Sequence, residues 1–139
     1  MRYIPKHQHS KAQVLLNKAR VSMRQAGISE TYDHFHEKKQ LNDILRKEQK
    51  HICCYCQRRI LQGKDNEGSH NEHFEPEGGS HARVDLQLEY HNLYACCNAS
   101  KGFEKRLQHC GEHKGDAGIN HNFLRMHDCA DYFGLLDKK

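Results

Sequence analysis

Cys53 and Cys56 form a C-x2-C pair. That spacing makes a tight knuckle whose two thiolates turn toward one ion. Cys54 lies inside the pair and cannot point the same way. A tetrahedral site needs a second pair, for which Cys96, Cys97 and Cys110 are the candidates. Cys96 and Cys97 are adjacent, so one of them serves. Cys129 stands apart as a spare. Two further groups flank the second half of this set: Glu72-His73, just before Phe74 and Pro76, and Asn92, between His91 and Leu93. Carboxylate, imidazole and amide are the side-chain types that hold a hard divalent cation and take a proton from water.

The elements that position these groups must form in a very polar chain. The 139 residues suit one domain, but a mean hydropathy of −1.00 allows only a modest core. A bound ion is the natural reinforcement, and seven cysteines and thirteen histidines can supply its ligands. No apolar run reaches the roughly 18 residues that mark a membrane-spanning helix. The opening stretch, MRYIPKHQHSKAQ, lacks the apolar segment of a signal peptide. The expected setting is therefore cytoplasmic, where paired cysteines read as metal ligands before they read as disulfides. The odd cysteine count agrees. A redox C-x-x-C would want a βαβ pattern around it, and none is visible.

The net charge of +4 is mild, but its distribution is uneven. Arg2, Lys6, Lys11, Lys18, Arg20 and Arg24 all precede the first acidic residue, Glu30. Lys101, Lys105, Arg106 and Lys114 form a second basic cluster. Such patches suit a polyanion, and they equally suit a solvated surface.

Residues 10–26 read as an amphipathic helix, with Ala12, Leu15, Leu16, Ala19, Met23 and Ala26 on one stripe, Ser10 as N-cap and Gly27 as the stop. Residues 30–50 read as a second helix capped by Ser29. Leu41, Ile44 and Leu45 share a face while Tyr32 and Phe35 do not, which predicts a bend near 36–40. Residues 62–71 are a polar loop, and 72–76 and 90–95 have short-strand character. Residues 77–83 are loop, 98–109 basic and irregular, and 110–118 open a short helix. Aromatic and aliphatic residues after 119 make a weakly patterned tail.

In this order the pieces LNDILRKEQKHICCYCQRRI, NEHFEP, YHNLYAC and QHCGEHKGD resemble the HNH (ββα-metal) endonucleases. More narrowly, they are similar to the HNH subgroup encoded beside ATPases in bacterial anti-phage systems, such as the Septu nuclease subunit and some retron-associated nucleases. The resemblance covers about residues 40–116. It implies an α+β fold: N-terminal helices over 1–50, a zinc-stapled HNH core over 51–118 and a tail over 119–139, together one nuclease domain. It also implies structural Zn2+ on Cys53, Cys56, Cys96 and Cys110, with Cys110 preferred because QHC…KGD falls where the subgroup places its last cysteine.

The same resemblance makes Glu72 a ligand of a catalytic Mg2+ or Mn2+, His73 the general base, and Asn92 the residue that pins the loop between the strands and orients that base. Lys101, Arg106 and Lys114 would hold flanking phosphates. The third family position, directly after Cys110, usually carries a cation ligand. Here it is Gly111, and His113, on the same short segment, is the expected substitute, ahead of Glu112 and Asp116. The implied activity is phosphodiester hydrolysis, on DNA ahead of RNA, in a defence complex with an ATPase partner. The alternative, favoured by Gly111, is a zinc-stapled subunit that binds nucleic acid or docks on an ATPase without cutting. His7, His9, His34, His36, His51, His70, His81, His121 and His127 read as surface residues, while His91 and His109 flank the site and need have no role.

Overall fold

The computed structural model describes residues 2–60 and 68–132. It is an α+β arrangement in the order α1 (Lys11–Gln25), α2 (Lys38–Glu48), β1 (Ser69–His73), β2 (Leu93–Cys97) and α3 (Cys110–Lys114), with single turns of 3-10 helix around β2 and after α3. Among the described residues, no helix is long and apolar enough to cross a membrane.

The first helix forms as its stripe and caps dictate. Ser10 Oγ accepts the Ala12 N–H at 3.0 Å, and Ala12, Leu16, Ala19 and Met23 are buried. At the far end Gly27 takes a left-handed φ of +67°, while the Ile28 N–H reaches Met23 O and the Gly27 N–H reaches Arg24 O. This 6→1 and 5→2 pairing is a Schellman stop, which needs a residue that tolerates positive φ.

The second helix is shorter than its pattern suggests. It starts at Lys38, within the segment where a bend was expected, and Ser29 does not cap it. Residues 30–37 form a turn instead, with His34 Nδ1 against Ser29 O and Thr31 Oγ1. The reason is burial. Phe35 is fully covered in this turn and Tyr32 packs beside it, a placement that a continuous helix with its stripe on Leu41 and Leu45 would forbid.

The strands form an antiparallel pair in which His70 faces Cys96 and Glu72 faces Tyr94. Each is displaced from its expected position: β1 begins at Ser69 rather than 72, and β2 at Leu93 rather than 90. Residues 69–71, read as loop, are strand. Residues 90–92, read as strand, are a 3-10 turn that buries Tyr90 and Asn92. Most of the polar loop expected over 62–71 lies outside the described residues. The core gathers Leu16, Phe35, Leu41, Leu45, Phe74, Tyr90, Leu93 and Tyr94. Glu48 ties its rim together by accepting from Ser10 Oγ and, at 2.8 Å, from Tyr90 Oη.

Between α2 and β1 the chain makes the cysteine knuckle. Lys50, His51 and Gln57 take positive φ, and the Cys53 N–H reaches Arg58 O while the Gln57 N–H reaches Cys53 O. Gln49 seats this turn on the sheet. Its amide accepts the Ala95 N–H at 2.8 Å and donates to Ala95 O and Ile52 O at 2.9 Å each. A single side chain thus gives β2 the donor and acceptor of a further strand, satisfying backbone groups that burial would otherwise orphan.

Candidate functional site

Four sulfur atoms converge at the end of the hairpin. The Sγ atoms of Cys53, Cys56, Cys97 and Cys110 all lie within 4.8 Å of one another, a set that can hold a metal ion. The Cys53–Cys110, Cys97–Cys110 and Cys56–Cys97 separations are 3.9, 3.9 and 3.7 Å. A zinc ion with four thiolates at about 2.3 Å places neighbouring sulfurs about 3.8 Å apart, so the donors fit that ion. Hydrogen bonds from the Cys110, Cys54 and Cys96 thiols hold Cys53 well below the ordinary thiol range. Cys97 is lowered to about 6, chiefly by its hydrogen bond with Cys96.

The fourth sulfur corrects the expectation of Cys96. Successive strand residues turn to opposite faces. Cys97, at the last position of β2, joins the knuckle. Cys96 turns under the sheet, where its sulfur accepts the Gly111 N–H at 3.3 Å and lies with His70 and Glu72; it stays 3.9 Å from Cys53 Sγ but is not within reach of all the other three ligands. Cys54 is fully buried, and that burial pushes its thiol up.

Glu72 lies on the side of the hairpin that faces α3, and its two oxygens are used differently. Oε1 accepts from Tyr55 Oη at 3.1 Å and lies 3.4 Å from Lys114 Nζ. Oε2 faces His70 Nε2 at 3.1 Å, and the other ring nitrogen of His70 meets Asn98 Oδ1 at 2.6 Å. Burial works to raise the Glu72 carboxyl, but the His70 hydrogen bond and the Lys114 charge outweigh it and leave the group below the usual carboxylate range. Gly111 closes the pocket. A Cβ there would stand 2.6 Å from Glu72 Oε2 and 2.7 Å from His70 Nε2, so only glycine leaves room.

His73, one residue on, leaves the strand on the other side. Its ring meets Tyr32 edge-on at 4.6 Å and is buried. Nε2 lies 2.9 Å from Gln87 O. A carbonyl only accepts, so Nε2 carries the proton, and in the neutral ring the lone pair is on Nδ1. Nδ1 is 3.8 Å from Glu77 Oε2, beyond hydrogen-bond distance. Asn92 pins the loop that supplies this carbonyl. It accepts the Glu75 N–H at 2.7 Å and donates to Glu75 O at 3.0 Å and Leu86 O at 3.1 Å.

Two expected ligands or contacts fall elsewhere. His113 is exposed on α3 and belongs to none of the clusters within coordination reach among the described residues. Helical geometry turns it outward because Gly111 is the α3 residue that faces Glu72. Lys114 is not a surface cation for phosphates: its ammonium is buried, donating to His73 O at 3.0 Å beside Glu72. Lys101 and Arg106 are exposed, the latter paired with Glu104 at 2.9 Å. Part of the N-terminal basic run is spent internally, since Arg20 pairs with Glu30 and Glu89 and Arg24 with Glu30.

His70 and Tyr55 are the site residues that sequence reasoning missed, and Cys97 is the candidate it passed over for Cys96. Only the register, which sets His70 beside Glu72 on one face, could have found the histidine. No protein-family model matches this chain, and no curated protein matches it.

Proposed function

We propose that the protein is a metal-dependent HNH-type endonuclease that hydrolyses phosphodiester bonds, in DNA ahead of RNA, and works in the cytoplasm with an ATPase partner in anti-phage defence. The four thiolates of Cys53, Cys56, Cys97 and Cys110 are its structural zinc ligands. The observation that carries the catalytic reading is the fixed tautomer of His73. Its Nε2–H is committed to Gln87 O, in a loop locked by three hydrogen bonds to Asn92. Nδ1 is therefore the atom that would accept the proton of an attacking water. Glu72 would hold the catalytic cation, Mg2+ or Mn2+, which when bound neutralises phosphate charge and stabilises the leaving oxygen. Lys114, bonded to His73 O and beside Glu72, ties the two residues together across the strand. Lys101 and Arg106 would steady flanking phosphates from the surface. The ATPase partner and the defence role rest on the family resemblance.

The test is cleavage of duplex DNA, single-stranded DNA and RNA by the zinc-loaded chain, alone and with its ATPase, in Mg2+ or Mn2+. His73→Ala should abolish cutting and leave zinc content unchanged. A His73→Ala protein that cuts like the wild type refutes the assignment. A second reading, a zinc-stapled subunit that binds nucleic acid or docks on an ATPase without cutting, is favoured by the divergence of Glu72 and His73 to opposite sides of the strand. Salt-sensitive binding with no metal-dependent turnover, with or without the partner, would establish it.

A further inference from the structure

The pocket between β1 and α3 contains a histidine placed where a cation ligand is needed. We propose that His70 and Glu72 together bind the catalytic cation, with His70 supplying the imidazole that the segment after Cys110 lacks, and that this makes the site favour a transition ion such as Mn2+ over Mg2+. The inference rests on the reading of Glu72 as a cation ligand and names its companion.

Space gives the first argument. At Gly111 the missing side chain would collide with His70 Nε2 and Glu72 Oε2 at once. The position where α3 could present a ligand from its own backbone is thus already filled, from across the pocket, by an imidazole nitrogen and a carboxylate oxygen. The glycine is what allows His70 to enter.

Orientation gives the second. His70 and Glu72 lie two residues apart on β1 and so share a face. His70 Nδ1 meets Asn98 Oδ1, and a carboxamide oxygen accepts, so Nδ1 carries the proton. Nε2 then faces Glu72 Oε2 at 3.1 Å, and without a bound ion the two share a proton as an ion pair. Two lone-pair atoms held this close need a cation or a proton between them. Two ligands about 2.1–2.2 Å from an octahedral ion, at a right angle, stand about 3.0–3.1 Å apart. The Asn98–His70 contact is also the outer hydrogen bond that metal-bound imidazoles make, fixing ring and tautomer. The other carboxylate oxygen is occupied by Tyr55 and Lys114, which leaves Oε2 for the ion.

Chemistry sets the preference. Mg2+ favours oxygen ligands, and an imidazole shifts the balance toward Mn2+, Co2+ or Ni2+. Cys96 Sγ lies within reach of both ligands at the floor of the pocket, which biases the site the same way.

The experiment is titration of the zinc-loaded full-length chain with Mn2+ and with Mg2+, followed by calorimetry and by the electron spin echo of bound Mn2+. The wild type should bind Mn2+ at least tenfold more tightly than Mg2+ and show nitrogen coupling to the manganese. His70→Asn should lose the coupling and most of the preference while keeping its zinc. Glu72→Gln should lose binding of both ions. Manganese without nitrogen coupling in the wild type, which requires no variant to fold, overturns the proposal, as does a His70→Asn chain with unchanged Mn2+ affinity. The two readings fail separately. A chain that binds Mn2+ through His70 but cuts no nucleic acid removes the nuclease and keeps this site. A chain that cuts through His73 without nitrogen coupling does the reverse.

Discussion

The hairpin carries two polar clusters side by side, and they are built on opposite principles. The sulfur cluster draws its members from three stretches of chain, at the knuckle, the end of β2 and the start of α3, and supplies four like donors at tetrahedral spacing. Nothing further is needed to close it. The β1 pocket takes His70 and Glu72 from one strand, mixes oxygen with nitrogen, and balances Glu72 against Lys114 and Tyr55 from other elements. A complete, soft donor set is a staple, while a partial, mixed one leaves positions for something else to enter. Cys96 and Cys97 stand at the boundary, adjacent in sequence and divided between the two by the pleat.

That division can be broken first at its strongest point. Cys97→Ala should lose bound zinc and much of the cooperative fold, because metal binding and folding are one equilibrium in so small a core. Cys96→Ala should retain zinc and cost roughly 1–3 kcal/mol as a buried truncation. Zinc analysis and thermal unfolding of both proteins decide this, and equal zinc loss in the two would erase the distinction. Asn92→Ala comes next. It takes the partner from the part-buried Glu75 N–H and from two carbonyls, and should cost roughly 1–3 kcal/mol in urea unfolding with zinc content unchanged. A drop in zinc would mean that the loop and the sulfur cluster are not separate.

The smallest effect sharpens the comparison by removing a background. The Lys6 ammonium donates to Leu93 O and sits 4.2 Å above both Tyr90 and Tyr94. Burial lowers its pKa from 10.5 to about 7. Between those values the unfolded chain holds a proton that the folded chain lacks, so this group makes stability rise with pH from about 7 to 10.5. Lys6→Met should flatten the rise, as read by urea unfolding at pH 7 and pH 9. The flattened chain is the background on which pH effects of the two polar clusters are best compared.

How much of this was legible depends on which residues needed only local reasoning. Ser10, the stripe through Leu16 and Met23, and Gly27 announce α1 without help from the rest of the chain. The Cys53–Cys56 spacing announces half of a metal site. The choice between Cys96 and Cys97 needed the strand register, and a strand placed a few residues off reverses every inside and outside assignment. The same slip hid His70, one histidine among thirteen until β1 is known to begin at Ser69. Gly111 is visible in the sequence as a departure, but His113, the substitute expected along the chain, is exposed, while the imidazole beside Glu72 is that of His70. Tyr32 and Phe35 left the second helix because tertiary burial overrode a helical pattern, which propensity cannot foresee.

A five-residue helix has too few internal hydrogen bonds to persist alone in water. α3 is anchored at its first residue, Cys110, by the sulfur cluster; its second residue lines the Glu72–His70 pocket, and its fifth bonds the His73 carbonyl. With the sulfur cluster read as a structural zinc site, a freshly made chain that has not yet captured the ion would lack the wall of the pocket and the lysine that spans the two candidate catalytic residues. On the proposed function, zinc supply becomes a licence: the scissors stay unassembled until the hinge pin is in.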